Sequence, residues 1–258
     1  MPYHVESYWS RVADEIRKRG PGNYVAGDDD PYYRYKRSKF LRRFLSALDV
    51  AGRTVLELGC GPGGNLLELA RQGPAALIGV EIAPSMLALA AQTLNEARVR
   101  VELKKTDGQR LPVDDHNVDL AFTVTVFQHN VDPAMLSRMV AELCRVTTGQ
   151  IVSMEDTGTD GSAAEGATFI ARPVEAYRTE FARYGFRLAT ATYLNTRVSR
   201  RARGILCRRL IPSSHREGQP LGFAYRTLLK SALAITRHLD DARPDTRDLT
   251  KMVFVRAG

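Results

Sequence analysis

The chain has 258 residues, 44% of them hydrophobic and 26% charged, with a formal net charge of +8; these values are typical of a globular protein, and the length favours one domain with additions over two domains. No apolar run approaches the roughly 18 residues that span a bilayer, and the charged N-terminus, MPYHVESYWSRVADEIRKRG, lacks the apolar centre of a signal peptide. The three cysteines are odd in number and lack metal-ligand spacing, so we expect free thiols, no metal site and a cytoplasmic location.

Hydrophobic spacing predicts an alternation of helices and strands along the chain. Two helices, 5–20 and 32–48, come first. Strands follow at 54–58, 76–81, 99–104, 119–127, 150–154, 186–193 and 250–256, and helices at 64–72, 84–96, 133–146 and 173–183. The run DLAFTVTVF, 119–127, is typical of a central parallel strand. This alternation predicts an α/β fold.

Residues 196–249 separate the last two predicted strands. A structureless loop of this length is improbable, and the stretch LGFAYRTLLKSALAITRHL has helical apolar spacing. Its expected buried face contains Leu221, Tyr225, Leu228, Leu229, Ala232 and Ile235. The segment holds 12 basic and five acidic residues, which is nearly all of the chain's positive excess. We therefore expect a basic helical insertion.

The eleven residues VLELGCGPGGN, 55–65, carry the strongest functional signal. They are typical of a strand, a turn with four glycines and the start of a helix. Glycines let a ligand approach the backbone, and a helix N-terminus offers free N–H groups. Gly59, Gly61 and Gly64 also fit the dinucleotide pattern GxGxxG, and Glu81 lies near the expected place of a ribose-binding acid.

Two features favour a different ligand over a dinucleotide. Dinucleotide folds usually open with this strand, whereas about fifty residues precede it here. Glu57 stands two residues before Gly59, where a carboxylate can meet an ammonium group that a pyrophosphate lacks. At these residues the chain resembles the class I S-adenosylmethionine-dependent methyltransferases, whose first motif looks like VLELGCGPG and whose second strand ends in an acid, as in IGVEIAPSML.

The resemblance implies a Rossmann-like seven-stranded sheet, in which the last strand inserts antiparallel beside its predecessor. Residues 51–195 and 250–258 would form the S-adenosylmethionine-binding core. Residues 1–50 would form an N-terminal helical lid that excludes water, because their stretch DDDPYYRYKR is polar and aromatic, unlike a core. We expect residues 196–249 to cap the acceptor pocket and to select an anionic or lipid-like acceptor through their arginines. A merely solvated basic surface and a lipid or membrane-surface role are the alternatives for this segment.

The resemblance also implies which residues contact the cofactor. Those expected to bind S-adenosylmethionine are Glu57, Gly59, Cys60, Gly61, Glu81, Ile82, Asp107, Gly108, Gln109 and Thr125. Glu81 can accept both ribose hydroxyls, and Asp107 can accept from the adenine amine, although a plain Asp-Gly turn is the alternative. Thr125 and Phe127 would lie beside the methionine portion, and Cys60 would offer its backbone rather than its thiol.

His129, in FQHNVDP, is the candidate catalytic residue. Alignment supplies much of the acceleration of methyl transfer, because the sulfonium is already activated, and a base is needed only for a hydroxyl or a protonated amine. His129 follows the fourth strand, at the rim where substrates approach; a structural role is the alternative. Glu155 and Asp156, after the fifth strand, are interpreted as solvated loop acids.

These inferences predict a methyltransferase that moves a methyl group from S-adenosylmethionine to a small molecule by direct displacement. Two other functions stay open: an RNA methyltransferase that uses the basic insertion, and a cofactor-binding partner subunit without catalysis. The chain has no recognisable RNA-binding module, and FQHN replaces the base-methylating motif Asn-Pro-Pro-Tyr, which disfavours a nucleic acid. The intact set of Glu57, Gly59, Glu81 and Asp107 disfavours a non-catalytic subunit.

Overall fold

A seven-stranded sheet forms the centre of the computed structural model, which describes residues 4–18, 30–159, 161, 167–212, 221–242 and 248–257. The strands within these residues are β1 (Thr54–Leu58), β2 (Ala76–Glu81), β3 (Glu102–Lys105), β4 (Val118–Val124), β5 (Thr147–Asp156), β6 (Phe186–Tyr193) and β7 (Leu249–Arg256). Their order is β3-β2-β1-β4-β5-β7-β6. Only β7 runs antiparallel to its neighbours, which confirms the expected fold class.

Helices cover both faces of this sheet. They are α1 (Val5–Lys18), α2 (Pro31–Phe40), α3 (Gly64–Ala70), α4 (Pro84–Glu96), α5 (Pro133–Val146), α6 (Val174–Ala182), α7 (Arg197–Leu210) and α8 (Phe223–Ala242). Because successive strand residues point to opposite faces, Leu56 of β1 packs in the core formed with α5 and α6, whereas Val55 packs in the core formed with α3 and α4. Parts of the predicted lid and insertion, 1–3, 19–29, 213–220 and 243–247, lie outside the described residues.

The direction of winding reverses between β1 and β4. Strands β2 and β3 lie on one side of β1, and β4 and β5 lie on the other. Such a switch point leaves a crevice outside the carboxyl ends of the strands. The residues that follow β1, β2 and β4 therefore meet at one edge of the sheet, and a ligand site is expected there.

The fourth strand is shorter than predicted. It ends at Val124 rather than at residue 127, because Thr125 adopts a left-handed conformation with φ 56° and a short 3₁₀ turn, Phe127–His129, follows. The apolar run continues past the strand because Phe127 is buried in the core with α5 and α6. The fifth strand is longer than predicted and continues to Asp156.

The predicted helical insertion contains α7 and α8, which pack antiparallel as a hairpin. Ser199 near the start of α7 contacts Thr236 near the end of α8, with 2.9 Å between their hydroxyl oxygens. Cys207 near the end of α7 lies 3.2 Å, Sγ to Oη, from Tyr225 near the start of α8. No helix in the described part of the chain is both long and apolar enough to cross a membrane.

The predicted apolar face of α8 is partly wrong. The buried stripe is Tyr225, Leu229 and Leu233, which are spaced by four residues and pack against Tyr32 of α2. Two residues of the predicted face point away from this contact. Leu228 is 50% exposed and Ile235 is 68% exposed. The burial of α8 is set by its contacts with α7 and α2, and the periodicity of α8 alone does not show which face they cover.

Buried acids attach the hairpin to α2. Asp240 is fully buried and accepts hydrogen bonds from the backbone of Val198, at 2.8 Å, and from the hydroxyl of Tyr35, also at 2.8 Å. Asp30, just before α2, accepts from Nε of Arg203 at 2.8 Å. The hairpin is therefore held on α2 by specific polar contacts as well as by the tyrosine and leucine cluster.

Candidate active site

A cavity opens at the switch point, at the carboxyl ends of β1, β2 and β4. Most of the predicted site residues line it: Glu57, Gly59, Cys60, Gly61, Glu81, Ile82, Gly108, Thr125 and His129. Asp107 and Gln109 do not. Among the described residues, neither α7 nor α8 contributes to this lining.

The glycine turn after β1 needs residues without side chains. Gly59 has φ +72°, and a Cβ there would overlap Cγ2 of Val126. The backbone N–H groups of Gly59 and Cys60 both donate to the carbonyl of Val80, at 2.7 and 3.1 Å. The turn is thereby fixed to β2, and it brings the backbone of Gly61 to the cavity wall.

Glu57 is a buried acid, 1% exposed, at the cavity wall. Its Oε1 accepts from the side-chain amide of Asn65 at 2.6 Å, whereas Oε2 has no hydrogen-bond partner among the described residues. Burial raises the pKa of Glu57 to about 8, against the opposing effects of Asn65 and the Arg37 charge. A buried acceptor without a donor is costly, and the ammonium group of a methionine moiety would supply the missing donor. This orphaned oxygen fits S-adenosylmethionine.

Glu81 is held rigidly at the end of β2. Oε1 accepts from the backbone N–H groups of Ile82, at 2.8 Å, and Ala83, at 3.0 Å, and Oε2 accepts from that of Gly61 at 3.1 Å. Burial raises the pKa of Glu81, and these backbone hydrogen bonds oppose that rise. Each carboxylate oxygen has two acceptor positions, so the oriented carboxylate retains capacity for ribose hydroxyls.

Cys60 lies in the glycine turn and lines the cavity. Its Sγ is buried and lies 3.9 Å from the carbonyl oxygen of Gly61, the acceptor of its weak hydrogen bond. Burial raises the pKa of the thiol well above its usual value, so it stays protonated. A buried, protonated thiol is a poor nucleophile.

The segment after β3 forms the plain Asp-Gly turn that was the alternative. The exposed carboxylate of Asp107 accepts from the backbone of Gln109 at 2.8 Å and of Arg110 at 3.1 Å, and these hydrogen bonds lower its pKa. Gly108, with φ +78°, and Thr106 line the cavity instead. The structure thus places the backbone of this turn at the cavity and the two predicted side chains outside its lining.

Thr125 and Phe127 occupy different environments. Thr125 lines the cavity, and its backbone N–H donates to the carbonyl of Met154 at 2.8 Å. Phe127 is fully buried against Tyr177 and Phe181, on the far side of the turn. The expectation that Phe127 lies beside the methionine portion is wrong, because the left-handed Thr125 redirects the chain before it.

His129 lies on the cavity wall in a fixed orientation. Its Nδ1 is 2.9 Å from the carbonyl oxygen of Thr168. A carbonyl only accepts, so Nδ1 carries the proton, and Nε2 is the basic nitrogen. The ring of Trp9 meets the imidazole edge-on, with 5.0 Å between ring centroids. Nε2 can accept a proton in this tautomer, and the side-chain amide nitrogen of Gln128 lies 3.4 Å from it as a donor.

Glu155 is not the solvated acid that the sequence predicted. It is fully buried, and its carboxylate accepts from the consecutive backbone N–H groups of residues 126, 127 and 128, at 3.1 to 3.2 Å. Burial raises its pKa to about 8. The interpretation as a solvated loop acid is wrong for Glu155, because β5 continues and directs this side chain inward. Asp156 is partly exposed and pairs with Lys36 at 2.9 Å.

Four contributing residues were missed by sequence reasoning. Buried Arg172 donates to the carbonyls of residues 127 and 130, at 2.8 and 2.6 Å, and completes the support of the turn that carries His129. Arg37 of α2 donates to Oδ1 of Asn65, and both line the cavity. Trp9 lines it with the other apolar side chains of α1, which follow helical spacing. That spacing on α1 was the one available signal.

Residues 55–149 match the family model of a methyltransferase domain. The chain is 41% identical over 106 residues to an uncharacterized 37.1 kDa protein in transposon TN4556 of Streptomyces fradiae. It is 33% identical over 103 residues to the ubiquinone biosynthesis O-methyltransferase of Azorhizobium caulinodans. Each alignment covers 40% of this chain, but only 29% and 40% of those two proteins.

Structural similarity extends over more of this chain than sequence similarity does. The crystal structure of the [4+2]-cyclase SpnF is 16% identical and superposes with a TM-score of 0.66, over 100% of this chain and 98% of that chain. The matched domain runs from β1 into β5 and contains the glycine turn with both buried acids. Residues 55–149 are therefore a methyltransferase domain, and the sheet order with its antiparallel β7 is that of the Rossmann-like methyltransferase fold.

Proposed function

We propose that the protein transfers a methyl group from S-adenosylmethionine to a small-molecule acceptor. The observation that carries the proposal is the buried Oε2 of Glu57, which lacks a donor among the described residues and lies at the cavity wall. An ammonium group satisfies this oxygen, whereas a dinucleotide offers none. Arg37, on the same wall, is positioned to pair with the carboxylate of the methionine portion.

The other predicted contacts divide the cavity between the parts of the cofactor. We assign the ribose to Glu81 and the adenine edge to Ile82 and the Gly108 turn, while Asp107 and Gln109 keep only an indirect role through that turn. Thr125 is assigned to the methionine portion. When bound, the cofactor supplies a methyl group on a sulfonium, an electrophile that needs alignment more than activation.

The acceptor is proposed to be small and largely apolar, with a nucleophilic hydroxyl. Trp9, Val12, Met135 and Met139 line the cavity near His129 and present apolar surface. His129 accepts the proton of the hydroxyl at Nε2 as the new bond to carbon forms. Trp9 and the rest of α1 exclude water from the reaction, which is the proposed role of residues 1–50 as a lid.

Calorimetry tests the cofactor assignment. We expect S-adenosylmethionine and S-adenosylhomocysteine to bind the pure protein and NAD not to bind. Glu81→Ala should abolish binding, whereas Glu68→Gln, at a partly exposed acid on α3 that pairs with Arg71, should leave it unchanged. Equal affinity of Glu81→Ala and the unchanged protein would refute the proposal.

Methyl transfer itself needs a separate test, because the cyclase with this fold is named for a different reaction. We expect incubation with labelled cofactor to label hydroxylated small molecules and not RNA. Label in RNA would favour the RNA methyltransferase. Tight cofactor binding without transfer to any acceptor would favour the partner subunit.

A further inference from the structure

We propose that the α7–α8 hairpin binds the surface of an anionic lipid membrane. The hairpin lies outside the cavity lining, so this role is separate from cofactor and acceptor binding. Two independent observations meet on these two helices: a concentration of exposed apolar side chains and a concentration of exposed arginines.

Exposed apolar side chains cluster on the hairpin. Of the eight large hydrophobic side chains that are exposed in the described part of the chain, six belong to it: Ile205, Leu210, Phe223, Leu228, Ile235 and Leu239. Phe223 is 85% exposed. Leu228, Ile235 and Leu239 are separated by seven and four residues, so they form one stripe along α8. Exposed apolar clusters of this kind mark interaction surfaces.

Positive charge is concentrated on the other helix of the hairpin. Helix α7 contains six arginines and no acid. Arg203 is engaged by Asp30, but Arg201, Arg208 and Arg209 are exposed. Arg201 and Arg208 lie four and three residues from Ile205, on the same face of α7. Guanidinium groups beside an aliphatic side chain suit lipid phosphates beside the acyl boundary.

An anionic bilayer satisfies both features at once. A second copy of this chain would cover the leucines, but it would bring two sets of arginines together. A nucleic acid would pair with the arginines and leave Leu228, Ile235 and Leu239 in water. Charge complementarity together with the apolar stripe therefore favours a lipid surface as the occupant.

Co-sedimentation with vesicles tests the proposal. We expect the protein to bind vesicles of phosphatidylcholine mixed with phosphatidylglycerol and not vesicles of phosphatidylcholine alone. Joint replacement of Arg201, Arg208 and Arg209 by Gln should weaken binding by about a hundredfold. Joint replacement of Leu228, Ile235 and Leu239 by Gln should also weaken it, and the residual binding should be lost in high salt.

The matched control replaces Arg71, Arg178 and Arg183, three exposed arginines outside the hairpin, by Gln, and it should bind vesicles normally. All variants should retain binding of S-adenosylhomocysteine, which separates this test from that of the proposed function. Equal binding of the hairpin and control variants would overturn the proposal. So would retention on RNA together with no binding to anionic vesicles.

Discussion

The side-chain amide of Asn65 donates to Oε1 of Glu57 over 2.6 Å and leaves Oε2 of the same buried carboxylate unsatisfied by the described residues. The pKa of Glu57 is raised to about 8 in the ligand-free protein. An ammonium group at Oε2 would favour the ionised form. The protonation of Glu57 is therefore linked to cofactor binding.

The first prediction follows from this linkage. Near neutral pH the free protein holds a proton on Glu57 and the complex does not, so binding of S-adenosylhomocysteine should release a proton, and affinity should rise as the pH approaches about 8. Calorimetry in buffers of different ionisation enthalpy measures this release. Glu57→Gln should lose it, and Glu68→Gln should keep it. Undiminished release from Glu57→Gln would contradict the assignment.

A second prediction compares two glycines. Both have positive φ, but a Cβ at Gly59 would overlap Val126, whereas one at Gly52 would meet nothing within 4 Å. Gly52→Ala should lower the free energy of unfolding by about 1 kcal/mol through backbone strain alone. Gly59→Ala should cost roughly 2 kcal/mol more and abolish cofactor binding. Urea denaturation measures both values. Equal losses of unfolding free energy in the two variants would show that Val126 moves to remove the overlap with the new Cβ.

A third prediction compares two neighbouring acids. Glu155→Gln replaces one acceptor oxygen with an amide group that faces backbone donors, so it should destabilise the protein by about 1–3 kcal/mol. Asp156→Asn weakens only a partly exposed pair with Lys36 and should cost at most about 1 kcal/mol. Denaturation curves measure the loss of unfolding free energy in each of the two variants. A larger loss in Asp156→Asn would mean that Glu155 does not support the turn.

Trp9 provides the fourth prediction because it is the only tryptophan of the chain and lines the cavity. Titration with S-adenosylhomocysteine should change its fluorescence, and acrylamide should quench it less in the complex if α1 closes over the ligand. Glu81→Ala should show neither change. Identical quenching with and without ligand, under conditions where calorimetry shows binding, would argue against the lid.

The fifth prediction concerns His129 and a hydroxylated acceptor that the protein methylates. His129→Ala should lower kcat by about 10² to 10⁴-fold, which is the usual contribution of a general base, and leave the Kd for S-adenosylhomocysteine unchanged. His116→Ala, at an exposed turn outside the cavity lining, is the control. An unchanged kcat in His129→Ala would assign His129 a purely structural role.

Local motifs allowed much of the cavity lining to be predicted from the sequence. Glu57, Gly59 and Glu81 lie at strand ends, where one turn sets their place, and the structure brings all three to the cavity. Asp107 was assigned by analogy to side-chain contacts of other proteins, but its carboxylate is engaged by its own turn.

The remaining differences arise from contacts between distant segments. Arg172 supports the turn of His129 from more than 40 residues along the chain. The inward direction of Glu155 depends on how far β5 continues, which is decided by its pairing with β7. The buried stripe of α8 depends on its packing against Tyr32 of α2 and against Leu206 and Cys207 of α7. Hydrophobic periodicity contains no information about these partners.

The insertion begins and ends on residues that are already neighbours in the sheet, because Tyr193 at the end of β6 pairs with Thr250 at the start of β7. The pairing of β6 with β7 holds the two ends together, and the entropy cost of a longer connection grows only slowly with its length. The hairpin is therefore an exchangeable module. A relative with a longer, differently charged or absent hairpin would then differ in the proposed membrane binding and keep the residues proposed to bind the cofactor.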